Sequence, residues 1–189
     1  MKRVGAYERR PKEYLKIIKE FIGNLSGIAI ADIGCGSGIF ARHLGKDNFV
    51  VALDINRKPL ETIKGNVKVV NADAHNMPFR PESFDVVLSL SLMERLKNPV
   101  AHVKDLRRIV KRGGWLVLQL PNLQYFIEPH SKTPLMFLLP RKIQTLVFKM
   151  KLLLRAGFTL RKLRKIYHVG IMKLVPWPPA YMFLLQKTI

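Results

Sequence analysis

From Ser131 to Ile189 the chain carries no acidic side chain, while Lys and Arg recur from Lys132 to Lys187. Over all 189 residues, 33 Lys and Arg stand against 13 Asp and Glu, a formal net charge of +20. Such an imbalance, gathered in one third of the chain, suggests an anionic partner: nucleic acid, an anionic membrane surface or an anionic substrate. The plainer alternative is a solvated basic face. Cysteine is nearly absent as well. With Cys35 as the single thiol, an intramolecular disulfide and a Cys-rich zinc site are excluded, and a reducing compartment is suited. No apolar run approaches the ~20 residues of a membrane span. The basic start MKRVGAYERRPKEY has no apolar stretch behind it, so no signal peptide is expected. Hydrophobic residues make up 48% of the chain, enough for one folded domain burying about 70% of its unfolded surface. The expected location is cytoplasmic, with a peripheral seat on a membrane surface as the alternative.

What is present alternates between two periods. Pro11 is read as opening a helix with Leu15, Ile17, Ile18, Phe21 and Ile22 inward, stopped at Gly23-Asn24. IAIADI is a continuous apolar run of the kind buried on both faces of a sheet. A short helix from about Gly38 to Leu44 precedes the strand FVVALD, ending at Asp54. Asn56 caps a helix through Ile63, and VKVVNAD, closed by Asp73, is the third strand. Phe84-DVVLSL is the fourth. Pro99 starts a helix with Val103, Leu106, Ile109 and Val110 inward, ended by Gly113-Gly114, and WLVLQL is the fifth strand. This βαβα order predicts an α/β fold whose parallel sheet has helices on both faces. Beyond Pro121 follow a Pro-broken connection, a helix with Ile143, Leu146, Val147, Met150, Leu153 and Leu154 inward, and strands FTLRKLRKIYHV and AYMFLLQKT. The segment Gly170–Pro179 between those strands is read as their return. The expected organisation is a single domain: an N-terminal helical arm (1–26), a ligand-binding core (27–120), a substrate lid and helix (121–156) and C-terminal antiparallel strands (157–189).

Asp32-Ile-Gly34-Cys-Gly36-Ser-Gly38 places three alternate glycines on a strand-to-helix turn. Glycines there admit positive φ and let the backbone approach a ligand closely. The dinucleotide pattern G-x-G-x-x-G fails at Ile39, and no Lys-Ser/Thr completes a phosphate loop. Taken alone, the turn is equally compatible with a structural role. Its companions give it chemistry. Asp54 is placed to accept hydrogen bonds from both hydroxyls of a ribose, Asp73 to meet an exocyclic amine of adenine, and Asp32 to welcome an ammonium or sulfonium. All three belong to the carboxyl edge of the sheet, where ligands of such folds bind. Three carboxylates suit a nucleoside with a cationic centre and no phosphates, which points to S-adenosylmethionine (SAM).

The segments ADIGCGSGIFARHL, VALDIN, NADAHNMPFRPESFDVVLSLSLMERL and HVKDLRRIVKRGGWLVLQLPN, in this order and spacing, resemble a class I SAM-dependent methyltransferase of the small-molecule, quinone-methylase-like type. The resemblance covers roughly Gly27 to Asn122. It implies a Rossmann-like, mostly parallel seven-stranded sheet of order 3-2-1-4-5-7-6, with the last strand antiparallel. It further implies that the backbone at Gly34, Gly36 and Gly38 lines the methionine part of SAM and that Asp54 holds the ribose. Ile55 would pack on the adenine, Asp73 and the Ala74 backbone would read its edge, and a carbonyl near Leu90 would meet the methionyl amine. Where many relatives carry Glu-His after strand four, this chain has Glu94-Arg95. A base at that position is thereby in doubt, and Arg95 is weighed against a plain surface cation.

Methyl transfer asks mainly for alignment, desolvation and, for some acceptors, deprotonation. His130, in the connection after strand five, is the other weak candidate for a base. Tyr7 is a candidate to close over the methionine end. His43 and His102 are expected to be surface or partly buried packing residues on helices, His75 a loop residue weighed as a pocket wall, and His168 structural. No His, Asp or Glu spacing suggests a metal site. No N/D-P-P-Y/F follows strand four, and Cys35 sits inside the glycine turn. Amino methylation of nucleobases and a cysteine-nucleophile route are therefore disfavoured. The acceptor is expected to be a small or lipidic molecule under an apolar lid. The alternatives are RNA tracked by the basic C-terminal third, and a non-catalytic binding partner that keeps the SAM fold. Oligomeric state is not legible.

The basic third separates these readings. RNA binding through Z phosphates should weaken with salt at a slope of about −0.7Z. A membrane seat should need anionic lipid and gain ~1 kcal/mol per nearby Lys or Arg. Reversal of Lys142, Lys149 and Lys151 to Glu is expected to abolish vesicle co-sedimentation while sparing SAM affinity. Salt-steep RNA binding without vesicle binding would favour the RNA reading.

Overall fold

The computed structural model describes residues 4–121, 169–175 and 180–188. Helix α1 (Val4–Ile22) leads into strand β1 (Ala29–Ile33). Helix α2 (Ile39–Leu44), β2 (Phe49–Asp54), α3 (Arg57–Glu61) and β3 (Val67–Asn71) follow. Strand β4 (Phe84–Leu90), a 3-10 turn at Met93–Arg95, α4 (Pro99–Ile109) and β5 (Val110–Pro121) complete the core. Strands β6 (Val169–Val175) and β7 (Ala180–Gln186) close the described chain. The seven strands form one sheet of order β3-β2-β1-β4-β5-β7-β6. The pairings among β1 to β5 are parallel, whereas β7 runs antiparallel to both β5 and β6. No helix among the described residues is long and apolar enough to cross a membrane.

The continuous apolar strands are explained by cover on both faces. Ile30, Val50, Ala52, Val86, Leu88 and Val117 pack with Tyr14, Ile17 and Ile18 of α1 and Ala41 and Leu44 of α2. Their sequence neighbours Ala31, Ile33, Val51, Leu53, Val87, Leu116 and Leu118 pack with Val103, Leu106 and Ile109 of α4. Alternate residues of one strand thus enter opposite cores, which is why these strands read as nearly unbroken apolar runs.

Several element boundaries differ from expectation; α3, for one, ends at Glu61 rather than at Ile63. Pro11 does not open α1 but lies inside it; having no N–H, it withholds the bond owed to the carbonyl one turn back, and the helix continues through it. The Gly113-Gly114 pair does not end α4, which stops at Ile109, but sits within β5. A Cβ on Gly114 would stand 2.7 Å from the Asp85 carbonyl oxygen. There the β4–β5 register shifts between Phe84 and Val86, so the glycines serve a bulge with close backbone approach. Finally, β6 spans Val169–Val175, inside the stretch read as a return; 158–168 lie outside the described residues, as does the expected helix of 141–155. Gly170, read as the first residue of that return, lies within β6, which ends the sheet order and whose register runs straight from Val169↔Gln186 to Val175↔Ala180.

Strand β7 is an interior strand. Met182 and Leu184 are fully buried, and Lys187 just beyond it exchanges backbone hydrogen bonds with Gly113 and Gly114 at 2.8 and 2.9 Å. Its ammonium donates to the Val110 carbonyl at 2.8 Å and to Glu82 at 3.1 Å. Leu184→Ala is therefore expected to cost about 2–5 kcal/mol in denaturant unfolding. Deleting 180–189 should abolish the cooperative transition; a soluble, cooperatively unfolding truncation would show that β7 is peripheral.

Candidate functional site

At the end of β1 the chain turns sharply, because Gly34 and Cys35 both donate their N–H groups to the Leu53 carbonyl, at 2.7 and 3.0 Å. Gly34, Gly36 and Gly38 all have positive φ (76°, 54° and 67°), the left-handed region that disfavours a side chain. Two of them also lack room: a Cβ on Gly34 would strike the Leu92 side chain, and one on Gly38 that of Ile63. Gly36 differs, since nothing lies within 4 Å of its Cβ position. Asp32 sits under this turn and is buried. The Ala41 N–H partly stabilises its charge, yet burial, reinforced by the Asp54 charge, raises its pKa to about 7. Its Oδ2 is buried with no hydrogen-bond partner. The Cys35 thiol is pushed up by burial and by the charges of Asp32 and Asp54, so it is held protonated and unreactive.

Asp54, at the end of β2, reaches across to the turn. Its Oδ2 accepts from the Gly36 N–H and its Oδ1 from the Asn56 N–H, both at 2.8 Å. Each oxygen keeps acceptor capacity for a further donor. The next side chain, Ile55, is 65% exposed. Asp73 lies two residues beyond β3 rather than closing it. Its Oδ1 accepts from the His75 N–H at 2.8 Å and lies 2.9 Å from His75 Nδ1; these bonds hold its carboxyl below the usual carboxylate range.

One cavity of about 730 Å³ joins these groups, a size suited to a nucleoside-sized ligand. Asp32, Gly34, Gly36, Asp54, Ile55, Asp73, Ala74 and Leu90 all line it. Gly38 does not reach its wall; it supports the turn. Arg95 lies at the cavity, exposed, on the 3-10 turn rather than a helix. His75 is a wall residue, and His43 is half-buried with Nδ1 2.9 Å from the Ile39 carbonyl. The side chain of Tyr7, and His130 and His168, fall outside the description; from α1 it is Pro11 and Tyr14 that reach the cavity.

Several residues here went unrecognised in the sequence. Ser91 has a φ of 54°, an uncommon conformation for a residue with a side chain, and its hydroxyl donates to the Gln119 side chain. Both line the cavity. His102, expected at or near the surface, is fully buried. It stands in line with Asp105 and Arg108 on α4, and the three hold the loop after β3. His102 Nδ1 lies 2.9 Å from the Ala74 carbonyl, Asp105 accepts from the Met77 N–H, and Arg108 donates to the Met77 and Phe79 carbonyls. The one available signal was three polar residues at i, i+3 and i+6 beside an apolar stripe.

Asp32 makes the unliganded protein pH-sensitive. The folded carboxyl has the higher pKa, so its contribution to stability is present below about pH 4 and lost as pH rises through 7. The distance from an ordinary aspartate to about 7 corresponds to an upper limit of about 4 kcal/mol. Asp32→Asn has no such loss, so its melting temperature should gain on the parent's between pH 4 and 8. A constant difference across that range would show that Asp32 titrates normally.

Residues 31–118 match the sequence model of a family described as methyltransferase domain. A ubiquinone biosynthesis O-methyltransferase of Nitrosomonas europaea is 30% identical over 118 residues, covering 57% of this chain and 50% of that protein. The chain spans about half the length of such relatives. Among solved structures, a SAM-dependent methyltransferase from Aquifex aeolicus superposes with a TM-score of 0.60 at 17% identity, covering 93% of this chain and 88% of that one. A protein of Pyrococcus horikoshii reaches 0.68 at 15% identity, covering 96% and 91%. These two likenesses concern the fold, which is the Rossmann-like methyltransferase fold. The glycine turn and the strand order agree with the matched segment: residues 31–118 are similar to the methyltransferase domain family, on a Rossmann-like methyltransferase fold.

Proposed function

We propose that this chain binds SAM in the cavity at the carboxyl edge of the sheet and transfers its methyl group to a small or lipidic acceptor. The observation that carries the reading is the buried, unpartnered Oδ2 of Asp32 beside the glycine turn. An uncompensated buried carboxylate is costly, and the ammonium of a methionyl group is the partner it lacks. Two further features fit this cofactor. The open space at Gly36 admits a ligand against the backbone, and Ile55 offers an uncovered apolar surface to a base.

Each residue then has a defined task. Asp54, already fixed by two backbone donors, accepts from the ribose hydroxyls. Asp73 and the Ala74 backbone read the adenine edge, and the Leu90 carbonyl accepts from the methionyl amine. Asp32 balances the cationic end. When bound, the cofactor supplies an electrophilic methyl on a sulfonium; the protein contributes alignment and exclusion of water. The acceptor class is drawn from the relative named ubiquinone biosynthesis O-methyltransferase and from the apolar sequence PLMFLLP after β5. Arg95 and His130 stand as the candidates for handling an acceptor proton.

Calorimetric titration should give binding of SAM and of S-adenosylhomocysteine, with none of NAD or ATP, whose phosphates meet three carboxylates. Asp54→Ala removes charge-assisted hydrogen bonds of about 1.5–3 kcal/mol each, so affinity should fall at least ~10-fold. Tighter binding of NAD, or unchanged affinity in a folded Asp54→Ala protein, would overturn the assignment. Mass spectrometry of small molecules that co-purify with the protein tests the acceptor class.

A further inference from the structure

The His102 ring sits at the centre of a continuous hydrogen-bonded path from the sheet to Asp73. It is fully buried, with Nε2 3.0 Å from the Ser89 hydroxyl on β4 and Nδ1 2.9 Å from the Ala74 carbonyl. A carbonyl can only accept, so the Nδ1 atom carries the proton, and Nε2 accepts from Ser89. The ring is neutral, since burial holds its pKa down at about 4. The Ala74 carbonyl and the His75 N–H belong to one peptide unit, which is planar and rigid. That unit is pinned at both ends: its oxygen by His102, its N–H by Asp73 Oδ1 at 2.8 Å. Turning this peptide would turn the His75 N–H that, with the His75 ring 2.9 Å from the same Oδ1, aims the Asp73 carboxylate.

The loop does not need His102 merely to be held. Asp105 and Arg108 fix it farther along, at Met77 and Phe79. The His102 bond is the tie next to Asp73, and it reaches the cavity wall through Ala74 and His75. Asp73 itself is largely exposed, 53% by its side chain, and no packing fixes its rotamer. Its direction therefore depends on its hydrogen bonds.

We propose that His102 is a positioning residue that sets selectivity for adenine, acting through the Ala74–His75 peptide on the carboxylate of Asp73; this rests on the SAM-binding reading above. An amino group at the purine 6-position donates to a carboxylate, whereas an oxo group there repels it. The ratio of affinities for the two bases thus reports the aim of Asp73 and of the Ala74 backbone beside it, independently of the ribose and methionine contacts.

The test is calorimetric titration of the full chain with S-adenosylhomocysteine and S-inosylhomocysteine, with thermal melts run in parallel. The parent should favour the adenine compound by about tenfold or more, as expected for a hydrogen bond to a charged group. In His102→Asn the side-chain amide can take the place of Nδ1, and the preference should persist. In His102→Leu it should fall toward parity while the inosine compound binds as before. Ser89→Ala removes the hydroxyl that sets the ring tautomer without emptying the site, and should give a smaller loss of preference; it serves if His102→Leu does not fold. A ratio unchanged in both Leu and Ala variants overturns the role of His102. Failure of the parent to bind either compound would instead overturn the cofactor assignment.

Discussion

The Leu53 carbonyl, accepting from both Gly34 and Cys35, is the bond on which the site depends. β1 and β2 pair in parallel up to Ile33↔Leu53, and the double acceptance ends that ladder by folding the β1 chain over the end of β2. The turn then delivers the Gly36 N–H to Asp54 and leaves Asp32 beneath it. Since β1 to β4 run the same way, the ends of β2 and β3 arrive at the same edge, bringing Asp54 and Asp73 to one cavity. A parallel sheet gathers functional groups from distant parts of the sequence in this manner.

The buried polar groups of the protein fall into two kinds. Asn48 is satisfied throughout: its amide donates to the Leu25 and Leu44 carbonyls and its oxygen accepts from Ile28. His102 and Ser89 likewise satisfy each other and the Ala74 carbonyl. Asp32 breaks the pattern, with one oxygen unpartnered and its pKa raised to about 7 by burial. Among the described residues, the satisfied groups hold elements together, whereas the unpartnered Oδ2 of Asp32 is kept at the cavity wall at a cost to stability. The strained φ of Ser91 at the end of β4 belongs with it.

Much of the fold was legible because it is written in local patterns. Predominantly apolar runs at 28–33, 49–53 and 84–90, separated by helical spacing and turn glycines, identify buried parallel strands. The glycine turn followed by Asp54 and Asp73 marks the edge of the sheet where the cavity lies. Boundaries failed where one residue type serves two purposes. Gly113-Gly114 reads as a helix end but makes a bulge against the Asp85 carbonyl. Gly170 reads as part of a return between two strands but lies in an edge strand, and Pro11 reads as a first-turn residue yet stands within α1.

The sequence by itself determined the period of each element, the positive-φ turn and the order of carboxylates along the chain, because steric and hydrophobic patterns act over a few residues. Only the tertiary structure decided which groups meet. That His102 lies against Ala74, 28 positions away, or Ser91 against Gln119 at the same separation, follows from how α4 and the strands pack. Burial, too, is a property of the packed whole: it is the surrounding sheet and helix that turn Asp32 from an ordinary aspartate into one whose pKa is raised to about 7.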